Sequence, residues 1–388
     1  QKEQIIIHLL SFRSVQFLKC ISVHEKMNKN IKLLLTLFSL SFLSQLPLSL
    51  IRFYAPIYAI NVGATGLILG LMGFSYGVVY IFTAYALGKK SEKVGYSRSL
   101  GIGLFSYAVV ALLYVFFKLP PVFIIIRALE ALAMGFVWPS LEALTKFFDD
   151  RKASTAIYTI GWSTASSIAP FLGSSSAYIL TLPFLIASAI SFVGGFLSFG
   201  FKPIKYEVTN VGSKINPGKD IAFPIFLYGF SVSIIYAFYS AFATAEFGIN
   251  GSGIIMSVSS IFIILAFVTA PFFKKDPRFG ITFGMILQAL YIVLFISKNF
   301  LLQMLSLSLI FYGSGILYFY VLYKIMLTES KGLGLRTGLF ESSIGAGYTI
   351  GPLIGGFVSL FGMNYVWFVT FISAIVFLIF WLLINNHF

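Results

Sequence analysis

The sequence predicts an all-α membrane protein with twelve transmembrane helices in two pseudo-symmetric six-helix bundles. Of its 388 residues, 58% are hydrophobic and only 10% are charged, whereas soluble domains carry about 25% charged residues. A water-soluble core could not bury that much apolar surface. Twelve apolar stretches are close to the roughly 20 residues that a helix needs to cross a bilayer. Glycines and prolines also recur between the two halves of the chain at offsets of 182 or 185 residues.

The apolar stretches place six spans before a polar gap and six after it. The predicted spans are 31–55, 66–88, 99–118, 121–147, 153–178, 180–201, 221–245, 252–273, 280–297, 301–328, 334–360 and 363–384.

The connections between spans alternate sharply in basic residues. One set holds Lys89, Lys90, Lys93, Arg98, Arg151, Lys152, Lys202, Lys205, Lys214, Lys219, Lys274, Lys275, Arg278, Lys331 and Arg336. The other set holds little more than Lys118 and Lys298. Because basic loops remain in the cytoplasm, both termini are predicted to be cytoplasmic. We expect a multi-pass protein of the plasma membrane.

Four segments follow from this pattern. Residues 1–26 are interpreted as an N-terminal extension, disordered or upstream of a true start at Met27, in preference to an interfacial amphipathic helix. Residues 27–201 form the first bundle, and residues 221–388 form the second. Residues 202–220 combine Pro and Gly with charges, which predicts a cytoplasmic linker.

Composition also excludes several classes of protein. A single cysteine, Cys20, and three histidines leave no disulfide framework and no zinc motif. The net charge of +14 comes from residues between apolar runs, so it indicates topology rather than nucleic-acid binding. We expect a monomer in the lipid bilayer with a small-molecule substrate and no cofactor or metal, energised by a proton or sodium gradient.

The chain contains an internal repeat. An offset of 185 residues aligns Gly63 with Gly248, Gly66 with Gly251 and Gly95 with Gly280, and an offset of 182 aligns Pro170 with Pro352 and Gly173 with Gly355. Carriers built from repeats place their site near the bilayer midplane, between the halves.

The connection after the second span resembles a motif of the major facilitator superfamily, G-x-L-A-D-R-x-G-R-K. Gly88 and Gly95 are in register with the motif glycines, Glu92 stands where the family has Asp, and Lys93 and Arg98 supply the basic residues. A looser second copy contains Asp276 and Arg278. The resemblance implies a tight turn that requires glycine and an acid that holds one state of the carrier closed, which we term the latch. The alternative is an ordinary charged turn.

Two small-residue motifs strengthen the resemblance. Gly351, Pro352, Gly355 and Gly356 match the family pattern G-P-x-x-G-G, and the fifth span contains the partial copy Ala169, Pro170 and Gly173. Small residues allow helices to approach closely and proline bends them. In the superfamily the fifth-span copy is associated with drug and proton antiporters. Packing and gating are both possible roles.

An ionisable side chain at the centre of a span raises the free energy of membrane insertion by about 2.5 to 3.5 kcal/mol, so its presence requires a structural or functional explanation. Arg127 and Glu130 are three residues apart on the fourth span and can pair. They resemble the family motif R-x-x-Q-G, whose Arg is linked to proton coupling. A glutamate whose pairing changes with conformation could gain and lose a proton; a static ion pair is the alternative.

Other charges suggest gates and a binding site. The 182-residue offset relates Glu142 to Lys324. Since the resemblance implies that helices 1, 4, 7 and 10 face a central cavity, these two could form a cytoplasmic gate pair, or they snorkel to the interface. Arg52 either faces the cavity, which favours an anionic substrate, or snorkels outward. Glu341 is expected to receive the connection between the second and third spans.

Polar and aromatic side chains on the same four helices are candidates for the cavity wall, because small-molecule sites combine apolar walls with a few polar groups. They are Gln45, Trp138, Tyr236, Tyr239, Tyr320 and Tyr323.

The leading functional hypothesis is a proton-coupled secondary transporter that works by alternating access. The fourth- and fifth-span motifs favour a drug or metabolite efflux antiporter, whereas Arg52 in the cavity would favour an uptake symporter for a sugar or an organic anion. A polytopic membrane enzyme would need clustered acids on a loop, and only Asp149 and Asp150 come near this. A transport-dead sensor with the same fold is a further alternative.

Overall fold

The computed structural model describes residues 2–145, 151–200, 219–272, 277–327 and 333–385. Within these ranges the side chains of residues 2–30, 92, 151–153, 219–221, 277, 323–327, 333–339 and 384–385 lie outside the description.

Helices account for almost all of the described chain. They are α1 (Lys2–Asn61), α2 (Gly66–Val94), α3 (Tyr96–Phe116), α4 (Pro120–Leu144), α5 (Arg151–Ser176), α6 (Leu182–Gly200), α7 (Lys219–Ile234), α8 (Ser240–Thr269), α9 (Pro277–Gln288), α10 (Tyr291–Ile296), α11 (Phe300–Leu327), α12 (Leu333–Val358) and α13 (Tyr365–Asn385).

The segment from Ala222 to Phe272 is one helical stretch of 51 residues, which is long enough for two crossings of a bilayer. The hydroxyl of Ser252 donates to the carbonyl of Ser240 at 3.1 Å. Twelve residues of straight helix would separate these groups by about 18 Å. The chain therefore reverses between them, at Gly248, whose φ of +73° is not helical.

Within the described residues, ten stretches are long and apolar enough to cross a membrane. The stretch 222–272 is long enough for two crossings, which makes eleven. Helix α5 has 26 residues and is thus about 39 Å long, so it supplies the twelfth of the predicted crossings. Helix α5 is less apolar because of its serines and threonines. Several of these, such as Ser163 and Ser166, are buried in the protein and donate to helix carbonyls, which removes the cost of their hydroxyl groups.

The start of the chain differs from the sequence-based expectation. Helix α1 begins at Lys2 and continues without interruption into the first span. Residues 2–26 are therefore helical rather than disordered. No glycine or proline occurs before Pro47, so nothing in the sequence breaks the helix. The assignment of domain boundaries remains a prediction.

The internal repeat is visible in the backbone. Gly63, between α1 and α2, has φ +92°, and Gly248, its partner at the 185-residue offset, has φ +73°. Both connections contain a residue with positive φ, a backbone conformation that only glycine adopts without strain. Gly95 also has φ +96°, but its partner Gly280 lies inside α9, so that alignment does not extend to conformation.

The two halves meet along α2 with α12 and along α5 with α8. On α2, Gly70 and Gly73 abut Pro352 of α12 so closely that a Cβ at either position would collide with it. On α5, the backbone N–H of Phe171 donates to the Ser257 hydroxyl of α8 at 2.9 Å. We use "basic side" for the membrane side where α2, α4 and α6 end; its assignment to the cytoplasm remains a prediction.

The α2–α12 crossing supplies a first testable prediction. Gly70→Ala would place a methyl group against the Pro352 carbonyl and the Gly356 backbone, and overpacking of this kind costs about 1 to 3 kcal/mol. We expect a lower thermal unfolding midpoint in detergent. Gly200→Ala is the matched control, because nothing lies within 4 Å of its added Cβ. Equal midpoints for the two variants would contradict the tight crossing.

Candidate functional site

A small cavity lies between the two halves. Its wall comes from α1, α2 and α4 of the first half and from α7 and α12 of the second, and it includes Arg52, Tyr76, Arg127, Tyr236 and Tyr348. Its volume is about 30 Å³, above the roughly 10–15 Å³ that one water needs. The cavity in this conformation therefore accommodates water but no organic molecule.

Arg52 is the central charge of this cavity and is only 8% exposed. Its guanidinium carbon lies 5.0 Å from the ring centre of Tyr236, 5.4 Å from that of Tyr76 and 5.5 Å from that of Tyr348. It also donates to the Tyr76 hydroxyl at 3.4 Å. Among the described side chains, no carboxylate lies within ion-pairing distance of Arg52. We call these three rings the tyrosine cage.

The cage depends on an irregularity in the helix that follows α7. Residues Ile235–Tyr239 form a single π-helical turn, a feature that is frequent at functional sites. The wider turn directs Tyr236 and Ala237 toward the cavity. Tyr239 points instead into the second half, where its hydroxyl donates to Gln303 at 3.0 Å.

Arg127 and Glu130 form the ion pair that the sequence predicts. Glu130 is fully buried, and it also accepts hydrogen bonds from Tyr114 at 2.8 Å and from Tyr107 at 3.4 Å. The guanidinium of Arg127 lies 4.7 Å from the Tyr76 ring centre. Tyr76 therefore contacts both Arg52 and Arg127.

This arrangement leaves one positive charge without a negative partner. Glu130 balances Arg127, whereas no described carboxylate lies within ion-pairing distance of Arg52. Its nearest partners are aromatic ring faces, which contribute about 2 kcal/mol when desolvated, and the Tyr76 hydroxyl. A buried charge is stabilised far better by an opposite charge with hydrogen bonds. The site can thus attract an anion. A proton on Glu130 would also leave Arg127 available at the same cavity.

Two of the predicted wall residues are in the cavity and three are not. Arg52 and Tyr236 line it, and their role in substrate binding remains a prediction. Gln45 donates to Ser49 and Ser166 at 2.8 Å and so ties α1 to α5. Tyr239 lies as described above and Trp138 is a half-buried residue that packs against the core, so the wall role of these three residues also remains a prediction.

On α11, Tyr320 is outside this cavity. It packs on Gly280 and donates to the carbonyl of Ala270 at 3.1 Å, so it faces α9 and the end of α8 in this conformation. The side chains of Tyr323 and Lys324 lie outside the described residues. The predicted pair of Glu142 with Lys324 therefore remains a prediction.

Glu341 has a different partner from the one expected. It is 8% exposed and accepts a hydrogen bond from the Tyr80 hydroxyl of α2 at 2.9 Å. The connection between α2 and α3 was the expected partner. Because Glu341 lies in the buried interface between α12 and α2, its carboxylate meets the body of α2 instead.

The predicted latch is only partly within the described side chains. Gly95 occupies the left-handed turn between α2 and α3, as the motif implies. Gly88 is inside α2, where it allows Pro139 of α4 to approach, so it is a packing position and not part of the turn. Lys93 and Arg98 are exposed and Arg278 is exposed in the second half. The side chain of Glu92 and all of Asp276 lie outside the described residues, and the latch remains a prediction.

The small-residue motifs are packing sites in this structure. Pro352 and Gly356 contact α2, while Gly351 and Gly355 lie against Phe230 and Phe238. In α5, Gly173 lies against Phe53 of α1 and Ala169 is buried. The carbonyl of Pro170 approaches Gly253 of α8. The two prolines therefore occupy the two crossings between the halves, and their role in gating remains a prediction.

Comparison with known proteins agrees with this architecture. The family model of the Major Facilitator Superfamily matches residues 37–220. An uncharacterised MFS-type transporter of Methanocaldococcus jannaschii is 25% identical over 349 residues, covering 80% of this chain and 87% of the relative.

Solved structures extend the fold similarity to both halves. The nucleoside transporter NupG superposes with a TM-score of 0.73 at 17% identity, covering 90% of this chain and 98% of that one. The human organic anion transporter MFSD10 superposes with a TM-score of 0.68 at 14% identity, covering 90% and 99%.

Proposed function

We propose that this chain, a secondary transporter of small molecules in the major facilitator superfamily, carries a small organic anion together with a proton. The observation that carries this proposal is Arg52, a buried cation in the cavity between the halves with no described carboxylate partner. An anionic substrate would supply the missing negative charge.

The tyrosine cage favours a carboxylate or a similarly planar anion. Arg presents a fork of N–H donors that bonds both oxygens of a carboxylate. The rings of the cage lie within 5.5 Å of the guanidinium, and one of its N–H groups makes a long hydrogen bond to the Tyr76 hydroxyl, so its remaining N–H donors can form such bonds. Apolar neighbours of the cavity, including Ile51, Leu69 and Met72, suit the hydrocarbon part of an organic acid.

Proton coupling follows from the position of Arg127. When Glu130 is ionised, it forms an ion pair with Arg127. When Glu130 is protonated, Arg127 can bind an anion in the same cavity. Protonation and anion binding then favour each other, and linkage of this kind is reciprocal. This supports symport, the alternative to the antiport that the fourth- and fifth-span motifs favoured. Antiport requires the opposite linkage, in which binding of the proton weakens binding of the substrate.

The membrane, the oligomeric state and the orientation of the protein are part of the same proposal. We place the protein in the plasma membrane as a monomer with both termini in the cytoplasm, which orients the basic side inward by the positive-inside rule. The fold similarity to an organic anion transporter and to a nucleoside transporter is compatible with this substrate class but does not select it.

The test is proton movement in liposomes that contain the protein and a trapped pH dye. Aromatic and aliphatic carboxylates, sugars and lipophilic amines are added outside, with protein-free liposomes as the control for passive permeation. We expect carboxylates, and neither sugars nor amines, to acidify the lumen only when protein is present. Alkalinisation driven by amines would establish antiport instead, and the absence of any protein-dependent response would contradict proton coupling.

A further inference from the structure

We infer that Tyr114 of α3 is a positioning residue for the coupled proton. The proton binds Oε1 of Glu130, and the Tyr114 hydroxyl then turns to accept a hydrogen bond from the new O–H group. The inference rests on the proposed function, in which Glu130 carries the proton. It adds the atom that binds the proton and the residue that sets the pH at which binding occurs.

The two oxygens of the Glu130 carboxylate have different hydrogen bonds. Oε2 accepts from Arg127 and, at 3.4 Å, from Tyr107. Among the described residues, the donor to Oε1 is Tyr114, at 2.8 Å. A proton can bind either oxygen only if the donor there turns away. A guanidinium cannot become an acceptor, whereas a tyrosine hydroxyl can donate or accept. Oε1 is therefore the oxygen that can be protonated with the smaller rearrangement.

Packing fixes the ring of Tyr114, so the change is confined to its hydroxyl hydrogen. The ring centre lies 4.6 Å from that of Phe184 in α6, with the two planes 10° apart, and 5.5 Å from that of Phe123 in α4. Rotation about the C–O bond leaves the oxygen in place and reverses the direction of the hydrogen bond. Glu130 and Tyr114 are fully buried, and buried polar groups need hydrogen bonds. The rotation provides one in both protonation states.

Other charged and titratable groups face Glu130 from the helices around it. Arg127 lies on the same helix, and its guanidinium contacts the Tyr76 ring at 4.7 Å. Arg52 of α1 acts on Glu130 from a greater distance. These groups contact the carboxylate on the Oε2 side or act on it through space, so the Oε1 side belongs to Tyr114.

Protonation forms one O–H bond at Oε1 with a proton taken from water, and no group of the protein loses a proton. Arg127 lines the cavity and Glu130 does not. Loss of the negative charge weakens the ion pair at Oε2 and leaves Arg127 for an anion. A hydrogen bond to a carboxylate is stronger than one between neutral groups. Tyr114 therefore favours the ionised form and sets the pH at which Glu130 takes up its proton.

The experiment follows the protonation of Glu130 by infrared spectroscopy of the protein in lipid, without substrate. The carbonyl stretch of protonated carboxyl groups grows as the pH falls. The part of this signal that is missing in Glu130→Gln belongs to Glu130, and a pH series gives its midpoint. A carboxylic acid whose O–H group donates a hydrogen bond absorbs at a lower frequency than an acid without a partner. We expect the lower frequency in the wild type.

Tyr114→Phe keeps the stacked ring and removes the hydroxyl. We expect the Glu130 midpoint to move to higher pH by about one unit, because the ionised form loses a stronger hydrogen bond than the neutral form does. The Glu130 band should also move to the higher frequency. Tyr107→Phe should shift the midpoint less, since its hydrogen bond is longer, and should leave the frequency unchanged.

Tyr58→Phe is the matched control. The Tyr58 ring packs on the same two phenylalanines, 5.6 Å from Phe123 and 5.1 Å from Phe184. Its buried hydroxyl has no hydrogen-bond partner among the described residues. We expect the wild-type midpoint and frequency in this variant. Thermal unfolding midpoints show whether each variant is folded, and the wild-type frequency tests the inference without any change at Tyr114.

Four results would overturn the inference. They are the absence of a pH-dependent band that Glu130→Gln removes, a wild-type band at the frequency of an acid without a partner, a Tyr114→Phe midpoint equal to that of the wild type, and the same shift in Tyr58→Phe as in Tyr114→Phe. The proposed function is tested separately. Carboxylates that move no protons in the liposome experiment would contradict it even if every infrared result were as expected.

Discussion

Arg52→Gln is expected to lower kcat/KM for carboxylate uptake by roughly a hundredfold or more. Removing one partner of a buried, hydrogen-bonded charge pair costs about 2 to 5 kcal/mol, and each 1.4 kcal/mol is a factor of ten. In the free protein Arg52 has no described carboxylate partner, so its loss leaves no buried charge behind. The variant should therefore fold, and the defect should be in substrate binding.

Initial rates of labelled carboxylate uptake into liposomes measure this effect. Arg52→Lys keeps the charge but loses the planar fork that stacks on the tyrosine cage, so we expect an intermediate defect. Lys118→Gln is the control, because Lys118 is exposed in the connection after α3 and does not line the cavity. If Arg52→Gln transported carboxylates at the wild-type rate, the anion site would have to lie elsewhere.

Glu130→Gln is expected to abolish proton-driven accumulation of substrate while exchange of substrate across the membrane continues. Glutamine has the shape of glutamate, and its carbonyl can still accept from Arg127, Tyr107 or Tyr114. It cannot exchange a proton with water near neutral pH. The halves should therefore still move around the substrate, but no proton should accompany it.

Two assays in the same liposomes distinguish coupling from folding. Counterflow with equal pH on both sides reports exchange, and the trapped dye reports proton movement. Glu246→Gln should retain both activities because its carboxylate pairs with Lys298 and does not line the cavity. Loss of counterflow together with proton movement in Glu130→Gln would make Glu130 a structural residue and contradict its role in coupling.

Much of the fold was predictable because the bilayer imposes strong local constraints on sequence. Span length and hydropathy located the helices, and Gly63 and Gly248 identified the repeat because left-handed turns need glycine. Helix α5 was predicted at 153–178 although it is rich in hydroxyl groups, which its own carbonyls satisfy. Residues 2–26 had no such signal, because they contain neither the apolar length of a span nor a residue that ends a helix.

The charged part of the site was predictable for a related reason. Arg52, Arg127 and Glu130 stood out because a charge in a span is costly, and their positions followed from helix spacing. The tyrosine cage was not predictable beyond Tyr236, since Tyr76 and Tyr348 become neighbours only when the halves meet.

Other side chains were misplaced because of local geometry that sequence does not display. The π-helical turn after α7 changes the register of the residues that follow Tyr236, so Tyr239 faces Gln303 rather than the cavity. Glu341 was expected to contact the connection between the second and third spans, because its contact with Tyr80, 261 residues away in sequence, forms only when the two halves meet.

The size of the cavity has a practical consequence for inhibitor discovery. At about 30 Å³ it admits no drug-sized compound, so a virtual screen against this conformation would miss both substrates and competitive inhibitors. Compounds that bind must first select a wider conformer, and their apparent affinity falls by the fraction of molecules in that conformer. Antibody fragments or mutations that hold one side open should therefore raise hit rates more than larger compound libraries would.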